Sequence, residues 1–367
     1  MARRATIGRG DDVDVGLVGL PGSGKTTVFN LLTGQQAFVA AFGGGRPESH
    51  RAQARVPDER LRALADLYHP KKITPASIQI VDIPGQAPGE GEGPNRLLTD
   101  VRQVDALVHI MRGFPSPVGE PADPAAAAAD MELELALADL DLLERRRERL
   151  SGGKKVTAEA KAELPLVDRL IAVLEDGGRL DQVALTPEEA AGMRGYQFLT
   201  LKPMLWVVNL SDDDLKSHGW RGRDALLALA SGKGVGLVEM AGQFEWELSA
   251  LDPEEQALFL AEVGLKASGM ARLAQAIYRQ LGLVSFLTAG EDEVRAWPIA
   301  VGTTARAAAG KIHSDIERGF IRAEVVPFAA LITHRSLAAA REHGQVRMEG
   351  RDYVMADGDV VNFRFNV

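Results

Sequence analysis

The sequence predicts an α/β fold: a mostly parallel sheet, an inserted antiparallel helical hairpin, and a smaller C-terminal α+β module. Three observations predict it. Short apolar strands alternate with helical segments up to Met111, the pattern of parallel strands joined by crossover helices. Ala125 to Leu150 is then a long helix-forming run, with Leu133, Leu137, Leu140 and Leu150 near coiled-coil spacing. The chain beyond about residue 282 finishes in short β-rich stretches and fits a separate compact module.

The elements follow in order. Residues 1–12 read as a polar arm. Asp14 to Val18 is a strand, Gly19 to Thr26 a glycine-rich turn and Thr27 to Thr33 a helix. Residues 38–57 carry glycines and charges without periodicity and are expected to form a loop. Ser77 to Val81 is a second strand ending at Asp82, Pro84 to Pro94 is too rich in glycine and proline for regular structure, and Ala106 to Met111 is a third strand. Ser151-Gly152-Gly153 breaks the long helix, and Thr157 to Leu174 forms the hairpin's second arm. Met204 to Leu210 and Leu237 to Ala241 resume the strand signature. Arg351 to Met355 and Val360 to Val367 close the chain as strands around Asp357-Gly358-Asp359.

Composition narrows the function classes. The chain has 367 residues, 46% hydrophobic and 25% charged, with net charge −9. The absence of cysteine excludes disulfides, thiolate zinc sites and cysteine nucleophiles. No leader-like segment and no long apolar run is present, so no membrane association and a cytoplasmic location are expected.

The chemistry sits in Gly19-Leu20-Pro21-Gly22-Ser23-Gly24-Lys25-Thr26, which fits G-x-x-x-x-G-K-S/T between a strand and a helix. Glycines let backbone N–H groups converge on phosphate oxygens, and the helix N-terminus adds partial positive charge. Lys25 is expected to reach the β- and γ-phosphates and the Thr26 hydroxyl to ligate Mg2+, with Thr27 adjoining. Asp82-Ile83-Pro84-Gly85 supplies a carboxylate that reaches Mg2+ through water and an N–H from Gly85 for the γ-phosphate. Gln86 either orients the attacking water or is a solvated loop residue. Asn209-Leu210-Ser211-Asp212 holds the place of a base-reading N-K-x-D motif with Leu210 for lysine, and Met240-Ala241 is the loop beside the base. The ordered set defines a P-loop nucleoside triphosphatase of GTPase-like design.

The same set resembles the Obg-like ATPase (YchF) family. The resemblance extends through Met131 to Leu142, through Phe198 to Pro203, and through Glu293–Trp297, Ala309–His313, Glu317–Ile321 and Asp357–Val360. It implies a GTPase-like domain over 13–124 and 200–281, a helical coiled-coil insert over 125–199, and a β-grasp-like TGS domain over 282–367. It also implies ATP hydrolysis, often alongside GTP, and ribosome association in translation or stress. Some positions depart from the family's pattern. Gly22, Ser23 and Thr26 replace its Asn-Val-Gly-Lys-Ser context, removing the asparagine linked with potassium activation. Gln86 stands where a hydrophobic residue is usual, and Phe114 to Pro124 lacks the family's proposed histidine. Asp212 replaces a common glutamate, and no first-switch threonine is evident near Arg46 to Ser49. The chain therefore reads as a divergent branch.

Weaker signals complete the reading. Glu144 to Lys155 carries six basic residues (Arg145, Arg146, Arg147, Arg149, Lys154, Lys155) and two acidic ones. It reads either as a phosphate contact for ribosomal RNA or as a solvated helix end. Residues 283–367 carry ten Lys or Arg against eleven Asp or Glu, so a ribosomal role for that module rests on the resemblance. His109, in an apolar strand, reads as a buried structural histidine, and His313 as more structural than catalytic. Two other functions remain open: a nucleotide-sensing module with negligible hydrolysis, and a small-molecule kinase, against which the D-x-x-G and base-reading motifs argue.

Overall fold

The computed structural model describes residues 13–35, 50–83, 96–116, 119, 121–152, 157–217 and 219–366. The arm at 1–12, Gly85, Gln86, Arg46 to Ser49, Lys154 and Lys155 lie outside the described residues.

The described strands are β1 (Asp14–Val18), β2 (His50–Arg55), β3 (Lys72–Thr74), β4 (Ser77–Asp82), β5 (Ala106–Arg112), β6 (Met204–Asn209), β7 (Gly236–Met240), β8 (Leu283–Ala289), β9 (Glu293–Ala300), β10 (Phe320–Pro327), β11 (Arg347–Glu349) and β12 (Asp359–Phe365). One sheet has the order β2-β4-β1-β5-β6-β7 and the other β11-β10-β12-β8-β9-β3. The chain forms two compact units, one containing Val13–Ala52 and Ile80–Met270, the other Gln53–Gln79 and Ala271–Val367.

In the first unit, β1, β5, β6 and β7 pair in parallel, with Val15 opposite Ala106, Leu107 opposite Met204 and Leu205 opposite Gly236. All six residues of β6 are buried, as both-faces burial of a parallel sheet requires. Helix Pro124–Gly152 leaves the sheet domain and packs against helix Leu164–Glu175 through Leu143, Leu150, Val167, Leu170 and Leu174. The hairpin's root is fixed by buried polar groups. The fully buried Asp139 carboxylate accepts the N–H groups of Leu199 and Thr200 and the Thr200 hydroxyl, and pairs with Arg102 at 3.2 Å. Arg179, 1% exposed, pairs with Glu132 at 2.8 Å and donates to the Lys202 carbonyl. Each buried charge is partnered, which offsets much of the cost of removing it from water.

The second unit carries an antiparallel β8–β9 pair and a β10 strand flanked antiparallel by β11 and β12, while β12 meets β8 in parallel at Val360–Leu287. Helix Ala305–Ile312 covers the sheet over Phe286, Val325 and Phe363. Helix Glu59–Tyr68 and β3 belong to this unit, with β3 pairing in parallel to β9, Lys72 opposite Glu293. Arg60 joins Asp58 and Asp357 at 2.8 and 2.9 Å.

Three expectations are corrected. The loop expected over 38–57 includes β2, whose inward residues are Ala52 and Ala54; alanines among arginines give a faint period-two signal. The hairpin's second arm is not continuous: helix Ala158–Lys161 stops before Leu164–Glu175, which restarts with proline in its first turn. Arg351 to Met355 is not a strand and makes one bridge, Thr304 to Val354; the edge position belongs to β11. Among the described residues no helix is long and apolar enough to cross a membrane.

Candidate functional site

The candidate site gathers at the carboxyl ends of parallel strands: the glycine loop after β1, Asp82 ending β4, Arg112 ending β5, Asn209 ending β6 and Met240 ending β7. This is where open α/β sheets bind ligands, because strand ends and helix starts leave a crevice lined with free N–H groups. The loop's path depends on glycine. Gly19, Gly22 and Gly24 have φ of +147°, +75° and +93°, and Gly24 directly precedes helix Lys25–Thr33. A Cβ on Gly19 would lie 2.2 Å from the Ile110 carbonyl oxygen, and one on Gly24 would lie 2.3 Å from Asn209 Nδ2. Pro21 and Gly22 are exposed, and Thr27 is half-buried one residue after Thr26.

Lys25 is buried, its Nζ donating to the carbonyls of Gly19 at 2.8 Å and Leu20 at 3.0 Å. Burial lowers its ammonium to about 8, with the Asp82 charge opposing. Thr26 Oγ1 donates to Asp82 Oδ2 at 3.0 Å, bringing two hard oxygens together. Burial raises the Asp82 carboxyl above its ordinary value, opposed by the Thr26 hydrogen bond and the charges of Lys25 and His50. The Ser23 hydroxyl is buried without a hydrogen-bond partner among the described residues.

Asn209 ties the site together. Its Nδ2 donates to the Ser23 carbonyl at 3.1 Å, and its Oδ1 accepts from Gly242 N at 2.8 Å. One buried amide thus links the phosphate loop to the β7 turn. Leu210 is 3% exposed and packs in the core, its N–H on the Met240 carbonyl at 2.7 Å. Met240 and Ala241 are fully buried, and their carbonyls accept from the N–H groups of Leu210 and Glu245. Asp212 starts a helix, Asp212–Ser217, and its Oδ1 is buried without a hydrogen-bond partner among the described residues. Two further groups stand here that the sequence reading did not select. Arg112 ends β5 with Nη1 buried and without a hydrogen bond among the described residues. A lone arginine closing an otherwise apolar strand was the available signal. Glu245, 3% exposed, accepts from Gly269 N at 2.6 Å and braces the helix that leads out of the unit. Gly85 and Gln86 lie outside the described residues, so the geometry adds nothing to them.

His109 is buried on β5, its Nδ1 without a hydrogen bond among the described residues. Burial lowers its pKa to about 3, and the Lys25 charge pushes the same way. Below the ordinary value of about 6.5 the unfolded chain takes up a proton that the folded protein refuses until near pH 3. Stability should therefore fall as pH drops through that window, by about 2 kcal/mol between pH 7 and 5 from this group. Urea unfolding of wild type and His109→Leu at the two pH values checks it: the variant should lose that much less, and parallel losses would assign the acid sensitivity elsewhere.

A strand-to-helix glycine loop holding a buried lysine, with a threonine–aspartate oxygen pair beside it, defines a P-loop nucleoside triphosphate hydrolase. Residues 14–144 match the family model described as 50S ribosome-binding GTPase, and residues 283–366 match one described as protein of unknown function (DUF933), the YchF GTPase C-terminal region. The chain belongs to the YchF family. The ribosome-binding ATPase YchF of Haemophilus ducreyi is 39% identical over 360 residues, 96% of this chain and 99% of that protein. The Bacillus subtilis protein of the same name is 37% identical over 361 residues, with 96% and 99% covered. The solved YchF GTPase of Schizosaccharomyces pombe has a TM-score of 0.84 at 29% identity, covering 97% of this chain and 98% of that one.

Proposed function

We propose that this chain is a Mg2+-dependent purine nucleoside triphosphatase that acts as a regulatory switch on the ribosome, in the cytoplasm, with ATP favoured and GTP also bound. The observation that carries the chemistry is the Thr26–Asp82 pair at 3.0 Å beside the buried Lys25 amine. Two adjacent hard oxygens suit Mg2+, which takes few protein ligands and keeps several waters. Thr26 would bind the ion directly and Asp82 through water. Bound there, the ion would neutralise charge on the β- and γ-phosphates. Lys25 binds the same phosphates as a point charge, loop N–H groups orient them, and Gln86 positions the attacking water.

The base preference rests on opposed tendencies. The Asp212 carboxylate could accept both guanine donors, N1–H and the 2-amino group, and its Oδ1 has no partner among the described residues. The relatives at 39% and 37% identity are named ATPases. Discrimination of about tenfold or less is expected. The ribosomal part comes from the relatives' names and from the hairpin tip. There Arg145 pairs with Asp141 and Arg147 loosely with Glu144, both leaving much of the side chain exposed. Arg146 is engaged by Glu163, which also accepts from Tyr196, so it serves the hairpin's own packing. Arg145, Arg147 and Arg149, with Lys154 and Lys155, are the better candidates for RNA phosphates, and the TGS-type module is the second candidate contact.

The test is single-turnover hydrolysis of ATP and GTP with and without ribosomes, beside titrations with non-hydrolysable analogues. Ribosome-stimulated hydrolysis, slowed in Gln86→Leu, is expected, with about 10²–10⁴ in rate at stake in water positioning. A hundredfold preference for either nucleotide would overturn the base reading. Tight binding without hydrolysis under any condition would make the protein a nucleotide sensor instead.

A further inference from the structure

The first unit carries a groove of about 600 Å³ that shares only Asp212 with the candidate nucleotide site. Its walls are helices Asp212–Ser217, Gly242–Ser249 and Pro253–Glu262. Phe244, Glu247, Leu248 and Leu251 line it at i, i+3, i+4 and i+7, so one continuous face of a helix and its extension forms the floor. From the neighbouring helix Phe259, Glu262 and Val263 complete the lining, and Leu258, four residues before Glu262, lies on the same stripe. Leu258 is 71% exposed and Phe259 49%. Large apolar side chains left in water beside an apolar groove mark an interaction surface.

Charge decides the partner. Residues 234–265 contain seven carboxylates and no lysine or arginine. Glu247 and Glu262 stand on the rim with Asp212; Glu247 accepts from the neutral Gln243 Nε2 at 2.7 Å, and Lys216 is the one basic residue in the lining. A polyanion is repelled from such a rim, which excludes RNA and an anionic membrane. An apolar channel with anionic edges is complementary to a helix with one apolar stripe and basic flanks.

We infer that the groove between helices Gly242–Ser249 and Pro253–Glu262 docks a basic amphipathic helix from a protein partner. The partner's apolar stripe lies on Leu251 and Phe259, over a floor made by the buried Phe244 and Leu248, and its lysines or arginines meet Glu247 and Glu262. The surface is separate from the basic hairpin tip and opposite to it in sign, so one chain can hold an RNA and a basic protein segment at once.

The experiment titrates the full chain with an 18-residue Leu/Lys peptide whose leucines fall at i, i+3, i+4 and i+7, and with a peptide of identical composition whose leucines are scattered around the helix. The striped peptide should bind in the micromolar range and at least tenfold tighter than the scattered one. Phe259→Ser should weaken it tenfold or more, and the double variant Glu247→Lys, Glu262→Lys should weaken it similarly and flatten its salt dependence. Leu258→Ser, at a more exposed position, serves if Phe259→Ser alters folding by circular dichroism. Equal binding of the two peptides would reduce the effect to bulk charge and overturn the proposal. So would unchanged affinity in the groove variants, competitive displacement of the striped peptide by ATP, or tighter binding of an RNA oligonucleotide to the same residues.

Discussion

Lys25→Ala should abolish tight triphosphate binding while leaving the protein folded. The Nζ sits under the glycine loop, held by the Gly19 and Leu20 carbonyls, as the buried cation of the loop. Charge-assisted hydrogen bonds to phosphate oxygens contribute about 1.5–3 kcal/mol each. Losing two of them raises the dissociation constant by about 10²–10⁴. The nucleotide-free protein should change little, because the burial that lowers the amine's pKa to about 8 offsets the loss of its hydrogen bonds to the Gly19 and Leu20 carbonyls. Two measurements therefore separate: titration with a fluorescent triphosphate should collapse, and the melting temperature without nucleotide should hold. The stabilisation that nucleotide confers on the wild type should vanish in the variant. An affinity within tenfold of wild type would remove the foundation of the phosphate site.

The three loop glycines should respond very differently to alanine. Gly19→Ala places a Cβ 2.2 Å from the Ile110 carbonyl oxygen, and neither side can yield. Val18 and His109, the preceding residues, are partners in the β1–β5 ladder, so separating the backbones means breaking the sheet. A loss of about 3 kcal/mol or more, or failure to fold, is expected. Gly22→Ala meets nothing within 4 Å among the described residues and carries only the left-handed backbone cost, about 1–2 kcal/mol. Gly24→Ala falls between: its Cβ would strike Asn209 Nδ2, a side chain that can move, but only by giving up the Ser23 carbonyl. Urea unfolding of the three variants should give the order Gly19, Gly24, Gly22 from most to least damaging. Equal losses at Gly19 and Gly22 would mean that the loop tolerates a shift that the sheet register forbids.

The phosphate loop was legible because its information is local: glycines, a lysine and a threonine within eight residues, bounded by an apolar strand and a helix. The strands β1, β4, β5, β6 and β7 were legible for the same reason, each a short apolar run. What the sequence hid depends on distant partners. β2 offers only Ala52 and Ala54 to the core, and β3 is three residues whose partner begins at Glu293. Nothing near Lys72 announces that pairing. The double role of Asn209 was hidden too, since a motif reading assigns its amide to the base whereas the geometry engages it with Ser23 and Gly242. Arg112 and Glu245 were passed over because a single charged residue at a strand or helix end is common on solvated surfaces.

The second unit has a consequence for synthesis on the ribosome. Its sheet takes β3 from residues 72–74 and every other strand from beyond residue 282. Helix Glu59–Tyr68 and β3 therefore emerge from the exit tunnel without the sheet they will join. They wait for more than two hundred residues of further translation, roughly ten seconds or more at ordinary elongation rates. During that interval the first sheet has all its strands, β2-β4-β1-β5-β6-β7, while the 56–76 segment remains a tethered orphan with an apolar helix face exposed. A nascent chain stalled before residue 283 should be sensitive to proteases between Val56 and Ala76 and resistant in the β5–β6 core. Full-length chain should lose that sensitivity, so completion of the C-terminus acts as the last stitch that draws an early thread tight.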